Sequence, residues 1–236
     1  LFFPMVVLIF FLVPQKVKNV WLLAASGYFY MSWNVKYMLL LFFSTAVTYA
    51  SGLLLAYFSA INNRKWKKFI VGISFFLNLS VLFWFKYFDF ILINLNRILS
   101  VLHIRLLNPT FDVLLPVGIS FYIFQALSYT VDVYREDTKV ERNFMKYALF
   151  VSFFPQLVAG PIERSKNLLS QLDEEHSFDF ERVRDGLLLM LWGYFLKLVV
   201  ADRIAVVVDT VYGDYGIYGG GYLVVASILF AFQIYG

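Results

Sequence analysis

From Tyr37 to Ile61 the chain carries no charged side chain. The run exceeds the roughly 20 apolar residues that take a helix across a bilayer. Such a segment needs either a large protein interior or lipid around it, and composition decides between them. The chain is 61% hydrophobic and 15% charged, whereas a soluble domain is roughly a quarter charged and about half apolar. With 236 residues and a mean hydropathy of +0.71 there is too little interior to hold that surface. The sequence therefore predicts an all-α fold, a polytopic transmembrane helical bundle.

Further apolar segments flank this run. Leu1 to Val13, closed by Pro14, reads as a spanning helix cut short, and Asn19 to Trp33 has Trp21, Tyr28, Tyr30 and Trp33 as interfacial anchors. Within 37–61, Ser44, Thr45, Thr48, Ser51 and Gly52 share one helix face, where small and hydroxyl side chains let helices approach closely. Phe69 to Phe85 spans next, with Lys86 and Asp89 at its far end. Phe90 to Leu107 reads as an interfacial helix, and Val113 to Val131 spans back, with Pro116 and Gly118 near its start.

Basic residues set the orientation. Arg64, Lys65, Lys67 and Lys68 crowd the 62–68 loop and predict a cytoplasmic location for it. Counting outward, the Lys16/Lys18 loop is also cytoplasmic and the amino-terminal end lies outside. The 132–146 loop, with Arg135, Lys139, Arg142 and Lys146, is cytoplasmic as well. Gly186 to Val200 crosses outward, and 201–212 lies in the outer interface. The 213–221 loop has no lysine or arginine, as an outside loop should. The last apolar run, Tyr222 to Gly236, is too short to span. The whole of 1–236 accordingly reads as the amino-terminal portion of a single multi-pass domain, cut inside a membrane segment.

One stretch breaks the alternation. Phe153-Phe154-Pro155-Gln156-Leu157-Val158-Ala159-Gly160-Pro161-Ile162-Glu163-Arg164 is apolar, yet two prolines and a glycine interrupt it. If 147–162 spanned, the next loop, with Arg164, Lys166, Arg182 and Arg184, would lie outside. A re-entrant segment at about 147–162, with both flanks cytoplasmic, satisfies the charge rule. Irregular backbone at membrane depth requires protein or a water-filled cavity around it, so the stretch should line something. The 163–184 region, with Leu168, Leu169 and Leu172 on one side, then lies along the cytoplasmic face.

Soluble-enzyme signatures are missing: there is no phosphate-binding glycine loop, no GxSxG and no HExxH. Cysteine is absent, which excludes disulfides and thiolate chemistry. No metal site and no nucleic-acid partner are expected. His103 and His176 sit in polar segments and read as solvated side chains, and Asp173-Glu174-Glu175 as a solvated helix end. Ionisable groups near membrane depth are costly unless paired or wetted. Lys197 is one. Asp132 and Arg135, one helical step apart, form another candidate pair. Glu163 and Arg164 close the broken stretch. A paired or snorkelling structural role is the plain alternative for each.

Three blocks resemble the membrane-bound O-acyltransferase family, in its bacterial branch of alginate O-acetylation and teichoic-acid D-alanylation proteins. The first runs from Phe121 through Gln125, Tyr129, Asp132 and Tyr134 to Arg135. The second is Phe153 to Arg164, with Pro155, Gln156, Gly160, Pro161, Glu163 and Arg164. The third runs from Trp192-Gly193 through Lys197 to Asp202-Arg203. The resemblance implies acyl transfer from a cytoplasmic-side donor, acetyl-CoA or an acyl-carrier thioester, through a tunnel to hydroxyls of an extracytoplasmic polysaccharide or cell-wall polymer. It implies a bacterial inner-membrane location, and acyl-carrier or extracytoplasmic acyltransferase partners. It also implies a catalytic histidine after a Trp-His segment. Neither His103 nor His176 matches that position, so this fragment is expected to carry no catalytic residue and to be inactive alone. Composition and intramembrane charges also suit a lipid-linked sugar flippase or polysaccharide exporter. A solute transporter would show paired halves with matching helix breaks, and no internal repeat is visible.

Overall fold

The computed structural model describes residues 1–101, 116–158 and 160–236, and every regular element among them is a helix. His103, Arg105, the start of the expected 113–131 span and Ala159 lie outside the described residues. The chain forms two units, Leu1–His176 and Ser177–Gly236.

In the first unit, α1 (Phe2–Leu12) ends where Pro14 forbids a further turn, and α2 (Gln15–Met31) restarts directly after it. The long helix α3 (Val35–Ala60) begins at Asn34, whose side chain accepts from the Lys36 N–H. At about 1.5 Å per residue it is long enough to cross a bilayer. Its hydroxyl and glycine face is buried throughout: Ser44, Thr45, Thr48, Ser51 and Gly52 all point inward.

The expected loop at 62–68 is shorter in the structure. Asn63 caps α4 (Arg64–Leu82) by accepting from the Trp66 N–H, so Arg64, Lys65, Lys67 and Lys68 sit on helix, not loop. Nor does the chain stop at Lys86. α4 passes through a π-helical turn, Phe83–Tyr87, straight into α5 (Phe88–Val101). The separate interfacial helix expected from Phe90 is therefore a continuation of α4. A charge marks an interface but does not end a helix, and no proline or glycine falls between Ile73 and Val101 to do so. The combined helix is the second one long and apolar enough to span.

α6 (Ile119–Arg135) starts at Gly118, whose φ of 72° is left-handed. It ends in a Schellman turn at Glu136 (φ 67°), where the Asp137 N–H reaches the Asp132 carbonyl (2.9 Å). Asp132 and Arg135 thus belong to the helix and not to the following loop. Packing centres on α6. Tyr122, Ile123, Ala126 and Tyr129 are fully buried against α3, α4 and α7 (Phe144–Ser152). Cross-helix polar bonds join the apolar contacts: Ser44 donates to Asn78 (2.5 Å) and Tyr147 to Thr48 (2.7 Å). Where lipid is the solvent such bonds matter, at roughly 0.6–2 kcal/mol each, because apolar burial then discriminates little.

After α7 come a single turn, α8 (Phe154–Leu157), irregular backbone, and α9 (Ser165–Gln171) with Leu168 and Leu169 buried beneath it. Ties between distant segments collect the polar connections of this unit. Lys67 pairs with Glu136 (2.8 Å), and Ser59 donates to the same carboxylate (2.6 Å). Lys146 bridges Glu141 (2.9 Å) and Asp173 (2.5 Å). Gln15 and Asn19 donate to the carbonyls of Glu174 (2.8 Å) and Leu172 (3.0 Å), and Lys18 to that of His176.

In the second unit, Asp179 caps α10 (Phe180–Phe195) by accepting from the Glu181 and Arg182 N–H groups. The helical path continues through a π-helical turn, Leu196–Ala201, into α11 (Asp202–Gly213). It is continuous where the sequence suggested a crossing and a separate interfacial piece. α12 (Gly220–Tyr235) folds back on α11, joined by the Tyr212 and Ser227 hydroxyls (2.9 Å).

Candidate functional site

The broken stretch expected from sequence is broken in the structure. Pro155 stands where the next residue would donate to the Val151 carbonyl, and it has no N–H to give. α7 accordingly stops at Ser152. The freed groups find partners from other helices. The Phe154 N–H is taken by Ser26 Oγ of α2 (3.2 Å). The Phe150 carbonyl accepts two side-chain amides, Gln125 Nε2 at 2.7 Å and Gln156 Nε2 at 3.1 Å. Beyond α8 the Gly160 N–H returns to the Gln156 carbonyl (3.0 Å), and a Cβ on Gly160 would collide with the Gln156 backbone.

α6 carries Gln125, Tyr129 and Asp132 on one face at four- and three-residue spacing. Gln125 holds the end of α7. Tyr129 is fully buried; its hydroxyl accepts from the Glu141 N–H (3.0 Å) and its ring lies over Gly52. Asp132 accepts from the buried Ser165 hydroxyl (2.9 Å), which docks α9 on α6. Its partner is Ser165 and not Arg135, so the helical-step pair expected from spacing does not form. Glu163 and Arg164 do not pair through their side chains either. The Glu163 carboxylate accepts from the Arg164 N–H (3.2 Å) and Asn167 Nδ2 (2.8 Å), organising the start of α9.

Asp132, Asp137, Arg164 and Lys166 line a polar cavity of about 200 Å³ beside this junction. The structure thus brings Gln125, Gln156, Tyr129, Asp132, Glu163, Arg164 and Gly160 into one region around the helix break. Tyr134 and Arg135 lie apart from it. Tyr134 is half-buried with Lys67 Nζ 5.5 Å from its ring centre, and Arg135 is exposed. Pro155 and Pro161 break the backbone but are themselves exposed. Lys197 and Asp202 belong to the second unit, where they pair with each other at 2.5 Å. The π-helical turn between them makes this possible, because i and i+5 then stack on one side.

Four contributors carried no signal that their own sequence neighbourhood could make decisive. Ser26 and Ser165 are ordinary hydroxyls until a partner's backbone or carboxylate meets them. Gly118 takes the left-handed cap of α6, but it is also pressed against the Leu157 carbonyl, where a Cβ would clash. Lys146, 9% exposed, holds the start of α7 to the 171–176 segment. Burial alone would lower its pKa; the bonds to Asp173 and Glu141 outweigh that and hold it above the ordinary lysine value. Hydrogen bonds from Lys67 and Ser59 keep Glu136 below the ordinary carboxylate value.

The arrangement positions backbone and offers polar donors, but no histidine of the described residues enters it. His176 bonds the Gln171 carbonyl (2.9 Å) and lies against Phe10. Among the described residues no three metal-binding side chains come together.

No family model matches the chain, and no solved structure matches it. Curated relatives do. A probable alginate O-acetylase of Pseudomonas putida is 36% identical over 210 residues, 89% of this chain and 42% of that protein. The corresponding protein of Pseudomonas aeruginosa is 34% identical over the same share of this chain and 39% of its own length. A peptidoglycan O-acetyltransferase of Helicobacter pylori is 32% identical over 86% of this chain and 43% of its length. The chain spans about two-fifths of the length of these relatives. The resemblance read from the three sequence blocks is borne out: the chain is a homologue of bacterial O-acetylases.

Proposed function

We propose that this homologue of bacterial O-acetylases forms the amino-terminal part of a membrane-bound O-acyltransferase, and that acetyl is the group moved. The observation that carries the reading is the similarity to alginate and peptidoglycan O-acetylases along nearly the whole chain. Acyl transfer joins an acceptor hydroxyl oxygen to the donor carbonyl carbon and releases a thiolate. A base must take the hydroxyl proton while water is kept from the donor. Residues 1–236 supply the enclosure in this reading. The base comes from a histidine elsewhere in the protein, since neither His103 nor His176 stands at the family's Trp-His position. The donor is a cytoplasmic acyl thioester, and the acceptor a glycan outside the membrane.

The chain is a polytopic bundle in the bacterial inner membrane, with the 62–68 turn on the cytoplasmic side and the amino terminus outside. The bonds of Lys67 to Glu136, Lys146 to Asp173 and Lys18 to His176 support this, because they gather the four basic segments at one end of the unit. They also support a re-entrant 147–162 segment: Lys146 before it and Asp173 beyond it meet. Gln156, Gly160 and Pro161 then shape the donor entrance. Acyl-carrier or extracytoplasmic acyltransferase proteins complete the pathway.

The test is ester content of surface glycans in cells lacking the complete gene, and in the same cells carrying it back. Loss and restoration of O-acetyl ester supports the reading; unchanged ester content refutes it. Gln156→Ala and Pro161→Ala in the restored gene should lower ester content at unchanged protein level.

A further inference from the structure

Tyr30 of α2 and Tyr122 of α6 meet in the interior of the first unit, with ring centres 6.3 Å apart and planes nearly perpendicular. Tyr122 is fully buried and Tyr30 nearly so, yet among the described residues neither hydroxyl has a hydrogen-bond partner. The two hydroxyls act on each other electrostatically, and that of Tyr37 acts on Tyr30. They stand at the margin of bonding distance without the geometry of a direct bond. A hydroxyl buried in this way has given up its bonds to bulk water and gained none in return. Two such groups side by side offer a buried water the two partners it needs at least.

Each tyrosine also lies one helical turn from a residue that holds the helix break. Tyr30 follows Ser26, whose hydroxyl takes the Phe154 N–H. Tyr122 stands between Gly118, pressed against the Leu157 carbonyl, and Gln125, which donates to the Phe150 carbonyl. The single turn α8 is therefore supported from α2 and from α6. α2 packs chiefly on α7 and α3, and α6 on α3 and α4. The two tyrosines are a place where the supports reach each other directly.

We infer that Tyr30 and Tyr122 form a binding site for one buried water, which bonds both hydroxyls and ties the two supports of the break together. The sign of a hydroxyl deletion tests this, because removing a hydroxyl with no partner stabilises a protein and removing a bonded one destabilises it. In the complete protein, purified in mild detergent, Tyr30→Phe and Tyr122→Phe should each lower Tm by roughly 1–3 °C. The double change should cost less than the two shifts added, because the bridge is lost only once. Tyr28→Phe, at an exposed position of α2, should leave Tm unchanged. Cryo-electron microscopy sharp enough to show ordered solvent should place a peak about 2.5–3.0 Å from both hydroxyl oxygens, and none there in the double variant. A Tm unchanged or raised in either single variant overturns the inference. A map in which the two hydroxyls bond each other directly, with no solvent peak beside them, also overturns it.

Discussion

Gln125 of α6 and Gln156 of α8 donate to the same carbonyl oxygen, that of Phe150, at 2.7 and 3.1 Å. Two glutamines far apart in sequence thus satisfy one acceptor that the Phe154 N–H, turned to Ser26, leaves free. Leaving a buried acceptor short of a donor costs about 1–3 kcal/mol. Gln125, 3% exposed, has no water to replace it, whereas Gln156 is half-buried. Gln125→Ala should therefore destabilise more than Gln156→Ala. The double variant should cost more than the two single changes added, because each amide covers for the other. Denaturant unfolding in detergent measures all three, and strict additivity would sink the shared-carbonyl account.

Gly52 lies under Tyr129. An added Cβ would stand 2.9 Å from both Cε1 and the hydroxyl oxygen of that ring. Gly52→Ala should destabilise by about 1–3 kcal/mol through overpacking. Gly72, also on a helix, has nothing within 4 Å of the position a methyl would take. There the same change should stabilise by roughly 0.5–1 kcal/mol through helix propensity. The opposite signs at two helical glycines are read from melting temperature, and a loss at both would contradict the packing argument.

Two titrations bracket the stable pH range. The folded Glu136 pKa lies below its ordinary 4.5, so its contribution is present above that pH and is lost as pH falls through the folded value. The folded Lys146 pKa lies above 10.5, so its contribution is complete below 10.5 and is lost as pH rises through the folded value. Melting temperature against pH should show both shoulders. Glu136→Gln should remove only the acid one and Lys146→Met only the alkaline one. Lys146→Met should also lower stability at neutral pH by roughly 1–3 kcal/mol, because Glu141 loses its partner.

Lys197 and Asp202 meet across the π-helical turn at 2.5 Å. Either charge alone in apolar surroundings is costly. Lys197→Met and Asp202→Leu should each lower the yield of membrane-inserted protein, read by fluorescence-detected size exclusion. The double change, and the exchange Lys197→Asp with Asp202→Lys, should recover most of it. A double variant no better than the worse single one would show that the pair is not what matters there.

Chain order and charge alone determined much of this protein. The uncharged run at 37–61 requires a long apolar helix whatever surrounds it. The buried face at Ser44, Thr45, Thr48, Ser51 and Gly52 follows from a period of 3.6, which needs no partner to define it. The break at 153–164 follows from proline chemistry, a covalent property of the residue. Tertiary structure decided whatever depends on a second segment. Spacing offered Arg135 as the partner of Asp132, but Ser165 arrives from α9 and takes the carboxylate. Charge offered Lys86 as a helix end, but the α-to-π adjustment at Phe83–Tyr87 carries the helix on. Gln125 and Gln156 were visible as polar residues in apolar blocks. That they meet at one carbonyl was not, because the acceptor is a backbone atom, which every residue carries and no sequence letter distinguishes.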